Sequence, residues 1–159
     1  MRYPGVATLL GLALAATACG GGKQVEIDPN REMAGTRWNA VLSTPSNLAG
    51  AVQVKGTGWM AADKDDTAKT QAFVTIQNAV PGGEHPWHVH LGQCGNDRGI
   101  LGPAGAYEPL QVGGGGMAQE SAVLSVPAPV AGEYFVNVHA SRNNMSTIIA
   151  CGNLAPPSR

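Results

Sequence analysis

The sequence predicts an all-β fold, a sandwich or a barrel. Three observations carry that expectation. Short stretches alternate apolar and other residues, the period expected of strands with one face buried. Glycine and proline, 22 and 11 residues, punctuate those stretches with turns. No segment keeps a 3.6-residue period long enough for a helix packed against a core.

The strands follow in order. Trp38 to Leu42 alternates, with Trp38, Ala40 and Leu42 on one side. Ala51 to Met60 alternates through Val52, Val54, Gly56, Gly58 and Met60, and its glycines suggest a bulge or a corner. Asp63-Lys64-Asp65-Asp66 reads as a solvated turn; the glycine and distal glutamate of a calcium-binding loop are missing. Ala72 to Ile76 is a strand, Pro81-Gly82-Gly83 a turn, and Trp87 to Leu91 the next strand. Gln93 to Gly116 reads as one long loop. Ala122 to Val126, Tyr134 to Val138 and Thr147 to Ala150 complete the set. The run Gly113 to Gly116 lacks the Gly-Lys-Ser/Thr that would make it a phosphate cradle.

Composition narrows the function classes. Charged residues make up 13% of the 159 residues and the formal net charge is −1. Nothing here draws the chain to a nucleic-acid backbone, and no nucleic-acid partner is expected. The length suits one domain.

The N-terminus reads as an export signal over Met1 to Ala18: Arg2, then an apolar run from Val6 to Ala16 that is too short to span a bilayer. Ala16-Thr17-Ala18-Cys19 resembles a bacterial lipobox, with Ala16 where a leucine is usual. That resemblance implies lipidation of Cys19 and a membrane-anchored lipoprotein, periplasmic or at the cell surface. The alternative is secretion after cleavage near Ala18. Residues 19–34, with Gly20 to Gly22 and Pro29, read as a tether, and the folded domain is expected over 35–159.

Two cysteines remain, Cys94 and Cys151. Outside the cytoplasm such a pair most simply forms a disulfide; a pair of metal thiolates is the alternative, although neither lies in a Cys-x-x-Cys.

All four histidines lie in two places, His85, His88 and His90 in one segment and His139 in another. On a strand, His88 and His90 project from one face while Trp87 and Val89 point to the core. His139, at the end of the strand from Tyr134, is placed to supply a third imidazole from a neighbouring strand. Three imidazoles favour copper or zinc over magnesium or calcium and leave an open coordination position. His85, three residues before His88, reads as a structural, hydrogen-bonding histidine. Asp97, Glu108 and Met145 are candidates to complete the site; a thioether suits Cu(I). No Gly-x-Ser-x-Gly nucleophile elbow occurs.

Gly83-Glu84-His85-Pro86-Trp87-His88-Val89-His90 resembles the Gly-x-His-Gly-Phe-His-Val-His segment of copper/zinc superoxide dismutases. Cys94 follows as that family's first disulfide cysteine does. Gly102-Pro103 with Ala106-Tyr107-Glu108-Pro109-Leu110 is similar to its Gly-Pro-His-Phe-Asn-Pro-Leu stretch, and Val136-Asn137-Val138-His139 to the strand of its last copper ligand. Ile149-Ala150-Cys151-Gly152 resembles the closing Leu-Ala-Cys-Gly. The resemblance runs from about Trp38 to Leu154. It implies an eight-stranded Greek-key β-barrel, a Cys94–Cys151 bond and one copper ion on His88, His90 and His139. It implies an oxidoreductase acting on superoxide, or a module that exchanges copper with a donor or acceptor.

The departures are specific. The family's bridging histidine falls at Ala106, and no histidine lies between His90 and His139 to hold zinc, so zinc is not expected. The anion-guiding arginine falls at Ile148; Arg142, three residues beyond His139, is the candidate replacement. Tyr134 to His139 also resembles the Tyr-x-Val-Asn-Val-His run of CHRD domains, which implies a third possibility, a structural β-domain without metal.

Overall fold

The computed structural model describes residues 36–51 and 53–158. The export signal at 1–18, the lipidation site Cys19, the tether to residue 34 and the domain start at Gly35 lie outside the described residues. Among the described residues, no helix is long and apolar enough to cross a membrane.

The described chain is all-β. Strands β1 (Trp38–Ser43), β2 (Lys55–Ala62) and β3 (Thr70–Gln77) form a meander. The short β4 (Glu84–His85) precedes β5 (Trp87–Gln93), which turns back as β6 (Asn96–Ile100). Then come β7 (Leu110–Gln111), β8 (Ala118–Leu124), β9 (Tyr134–Ser141) and β10 (Asn144–Leu154). Eight strands form one antiparallel sheet in the order β6-β5-β9-β10-β1-β2-β3-β8, curled into a half-barrel, and β4 pairs with β7 as a separate ribbon.

Alternation builds the core. Trp38, Ala40 and Leu42 of β1 are buried while Asn39, Val41 and Ser43 are exposed. The same parity buries Thr70, Ala72, Val74 and Ile76 of β3, and Trp87 and Val89 of β5 against Val136 and Val138 of β9. Burial of these apolar faces is the main drive to fold, about 25 cal/mol for each Å² removed from water. The sheet curls far enough for β9 to reach β2: a Cβ on Gly58 would lie 3.1 Å from Val136 Cγ2. The β2 glycines therefore mark close approach inside the curl. They make no bulge, since pairing runs unbroken from Lys55 to Ala62.

The long loop expected over Gln93 to Gly116 is corrected: it holds β6 and β7. Asn96 to Gly99 are exposed, so β6 is an edge strand held by hydrogen bonds to β5 and carries no hydrophobic alternation. The strand expected from Ala51 starts at Lys55, and the one expected over Thr147 to Ala150 runs from Asn144 to Leu154. Asp63 to Asp66 does form a turn, in which Asp63 Oδ1 accepts the N–H groups of Asp65 and Asp66, both at 3.0 Å.

Thr70 is fully buried and its hydroxyl donates to Val126 O at 2.8 Å, tying the start of β3 to the chain leaving β8. Thr70→Val keeps the shape and strands that carbonyl. Urea unfolding is expected to show a loss of about 1–3 kcal/mol; an unchanged midpoint would mean that water satisfies the carbonyl.

Candidate metal centre

The sheet places the histidines by pairing. β5 runs antiparallel to β9, with Trp87 opposite Val138, His88 opposite Asn137 and His90 opposite Phe135. Trp87 and Val138 take the inner face, so His88 and His90 fall on the outer face with Phe135, Asn137 and His139. That outer face is buried too: His88, His90 and His139 are each no more than 6% exposed. Tyr107 packs edge-on against both the Trp87 and His88 rings, with centroids 5.1 Å apart in each case. Phe135 stacks on His90 at 5.1 Å.

His88, His90 and His139 each present a nitrogen within 4.8 Å of the others. His88 Nδ1 stands 3.2 Å from His139 Nε2. Nitrogens bound at about 2.0–2.1 Å in a tetrahedral site lie about 3.3 Å apart, so this pair has the span of one edge of a coordination sphere.

The outer hydrogen bonds fix which nitrogens face inward. His139 Nδ1–H donates to Met145 O at 2.6 Å, leaving the Nε2 lone pair towards His88. The donation goes with an irregular stretch of β10: pairing jumps from Asn144 opposite Ser141 to Ile148 opposite His139, and the Met145 carbonyl in that stretch meets Nδ1. His90 Nδ1–H donates to Asp97 Oδ1 at 2.9 Å, and His90 Nε2 is buried with no hydrogen-bond partner. An acceptor nitrogen buried without a donor fits a site built for a cation.

Burial, with His139 and His90 close by, pulls His88 down to about 4. Burial also lowers His139, against the opposing effect of its bond to Met145. Both rings are therefore neutral at pH 7, the form in which imidazole binds metal.

His85 lies apart from the cluster. Its Nδ1–H donates to Ala140 O at 2.9 Å and His139 O at 3.2 Å, and so pins β4 to the end of β9. Cys94 and Cys151 form a disulfide, 57 residues apart in sequence. Thiolate ligation by that pair is thereby corrected: each sulfur is bonded to the other.

Two openings lead to the cluster. One, of about 730 Å³, is lined by Asp97, Phe135, Asn137, His139 and Ile148 among others. The other, of about 360 Å³, exposes His88 beside Tyr107, Glu108 and Arg142. Met145 lines both. Of the candidates to complete the site, Asp97 supports His90 and Met145 supplies its carbonyl to His139, while Glu108 lines the smaller opening. Arg142 donates to Glu84 at 2.5 Å and also lines the smaller opening.

Phe135, Asn137 and Tyr107 were not singled out as site residues from sequence. Phe135 and Asn137 share the parity of His139 and were readable from it; Tyr107 arrives from a loop with no periodic signal. No protein-family model matches the chain, and no curated protein matches it. The donor set can hold one metal ion; its elements are imidazole nitrogens on a rigid sheet, with an open side.

Proposed function

We propose that this protein is an exported, membrane-anchored copper protein with a Greek-key barrel similar to that of copper/zinc superoxide dismutases. One copper ion sits on His88, His90 and His139, and superoxide is the substrate. The observation that carries this reading is the convergence of three buried imidazoles from two distant segments, with the outer nitrogens of His90 and His139 tied by hydrogen bonds.

An all-nitrogen donor set suits copper or zinc. Copper is favoured because the segment between His90 and His139, where the resemblance places the zinc ligands, holds no histidine. A disulfide fits an oxidising compartment and so supports export.

Copper, when bound, supplies one-electron chemistry, by which one superoxide is oxidised to dioxygen and a second, with two protons, is reduced to hydrogen peroxide. The chain's own residues hold the ring orientations, exclude water from the inner side through Phe135 and Tyr107, and leave access through the larger opening. No imidazole bridges to a second metal, since Ala106 stands at that position, so protons come from solvent in the opening.

A second reading, copper handling without turnover, is favoured by the lining of that opening. Ile148 lies opposite His139 in register where the resemblance places the anion-guiding arginine, and Asp97 adds negative charge. Arg142 is occupied by Glu84. These features do not draw in an anion.

Cu(II) titration of the full chain followed by gel filtration tests both. One copper per chain with nitrogen hyperfine structure in its electron paramagnetic resonance is expected. Superoxide consumption above that of copper under chelator control supports the dismutase; stoichiometric copper without consumption supports the handling module. No retained copper removes both, leaving the structural β-domain.

A further inference from the structure

We propose that Asp97 is a positioning residue that fixes His90 with Nε2 facing the metal and biases the centre towards the oxidised ion. The redox half of this inference rests on the copper reading; the ring-positioning half stands on the apo protein.

The three outer partners are chemically unequal. His139 gives its Nδ1–H to the neutral carbonyl of Met145. His88 has the aromatic edge of Tyr107 and the other imidazoles around it. His90 alone has a carboxylate, Asp97 Oδ1 at 2.9 Å. A carboxylate accepting an imidazole N–H strengthens the opposite nitrogen as a donor and locks the tautomer.

The backbone is shaped to deliver that carboxylate. The β5–β6 pairing slips between His90 opposite Ile100 and Gly92 opposite Asp97, so β6 carries one extra residue. The slip falls at Arg98-Gly99, and Gly99 has φ 116°, a conformation that favours glycine. Gly99 N–H donates to the same Asp97 Oδ1 at 2.8 Å, which holds the carboxylate in place. Gly92 must also be glycine, since a Cβ there would collide with Asn96 O.

The negative charge is left for the site. Arg98, next in the chain, pairs with Glu133 at 2.7 Å. The carboxylate accepts both the Gly99 N–H and the His90 Nδ1–H, an arrangement that suits its anionic form. A fixed anion one imidazole away from the ion favours Cu(II) over Cu(I) by simple Coulomb attraction, and the half-exposed position of Asp97 moderates the effect.

The test uses the full chain as wild type, Asp97→Asn, Asp97→Ala and Asp97→Glu. In the apo protein, nitrogen-15 shifts of His90 are expected to show Nδ1–H in wild type and a shift towards Nε2–H in Asp97→Ala. With copper, competition against chelators specific for each oxidation state is expected to show Cu(II) affinity falling about 10–100-fold in Asp97→Asn, with a smaller loss for Cu(I). Each tenfold difference between the two losses raises the midpoint potential by about 59 mV for a one-electron couple. Asp97→Glu is expected to recover part of the shift. Equal losses for both oxidation states with an unchanged potential, or a wild-type His90 protonated on Nε2, would overturn the proposal. Failure of wild type to take up copper overturns the copper reading instead, and the apo tautomer still decides whether Asp97 positions His90.

Discussion

His139→Ala is expected to abolish stoichiometric copper uptake while the sheet still folds. The ring supplies one of three nitrogens and the only one carried by β9. Loss of an outer hydrogen-bond partner costs metal sites about 10–100-fold in affinity, and loss of a ligand costs more than that. The strand itself keeps its ties. His139 N–H donates to Pro86 O at 2.8 Å, and its carbonyl still accepts from His85. What the fold loses is the donor to Met145 O and some buried packing, about 1–3 kcal/mol. His85→Gln is the instructive companion: His85 is also buried, but it bonds only carbonyl groups in the sheet. It is expected to lower the unfolding midpoint and to retain one copper per chain. Equilibrium dialysis with Cu(II), beside thermal unfolding of each apo protein, separates the two roles. Copper held by His139→Ala as tightly as by wild type would mean that His139 is packing and not a ligand.

The legible part of this molecule is the part governed by period. β1 and β3 bury every second residue against one core, and Trp38-Ala40-Leu42 and Ala72-Val74-Ile76 announce it; β9 is buried on both faces, with Val136 and Val138 on the core side. The same period put His88 and His90 on one face. β6 carried no such signal because Asn96 to Gly99 are solvent-exposed and the strand exists through its pairing. The first half of β10 is hidden for a related reason: Asn144 to Ser146 are exposed, and the register there is irregular.

The meeting of His139 with the His88–His90 pair is a property of topology. β9 lies beside β5 although about forty residues separate them, and no spacing rule encodes a non-local neighbour. Residue type alone offers His139 as a candidate third imidazole, and the resemblance, read across ordered landmarks, is what names it beside His88 and His90. Asp97 shows the limit of pattern most clearly. It stands seven residues from His90, an odd offset that a regular strand would send to the opposite face. The two-residue turn at Cys94-Gly95 pairs Gln93 with Asn96 and Gly92 with Asp97, and so returns Asp97 to the face of the imidazole. Local backbone irregularities are where side-chain direction departs from period, and they cluster around this site.

Removing the disulfide, as Cys94→Ser with Cys151→Ser, is expected to cost the fold about 2–5 kcal/mol. The bond closes a loop 57 residues apart in sequence, for which chain entropy in the unfolded state alone gives about 4 kcal/mol. Domains of this size are stable by about 5–15 kcal/mol, so the loss is a large share of the total. Its position adds a second consequence. Cys94 sits at the tip of the β5–β6 hairpin, at the sheet edge, and Cys151 lies on β10 opposite Asn137 of β9. The cross-link therefore straps the hairpin that carries His88, His90 and Asp97 across the outer face of β9, beside the larger opening. One tie survives without it: Cys94 N–H donates to Asn153 Oδ1 at 2.8 Å. The site should accordingly loosen and not dissolve, with copper bound more weakly but still at one per chain, in contrast to His139→Ala. Urea unfolding with and without reductant gives the check. Reductant is expected to bring wild type to the midpoint of the double variant and to leave the variant unmoved. Coincident midpoints for oxidised wild type and double variant would mean that the sheet, and not the strap, holds the hairpin against β9.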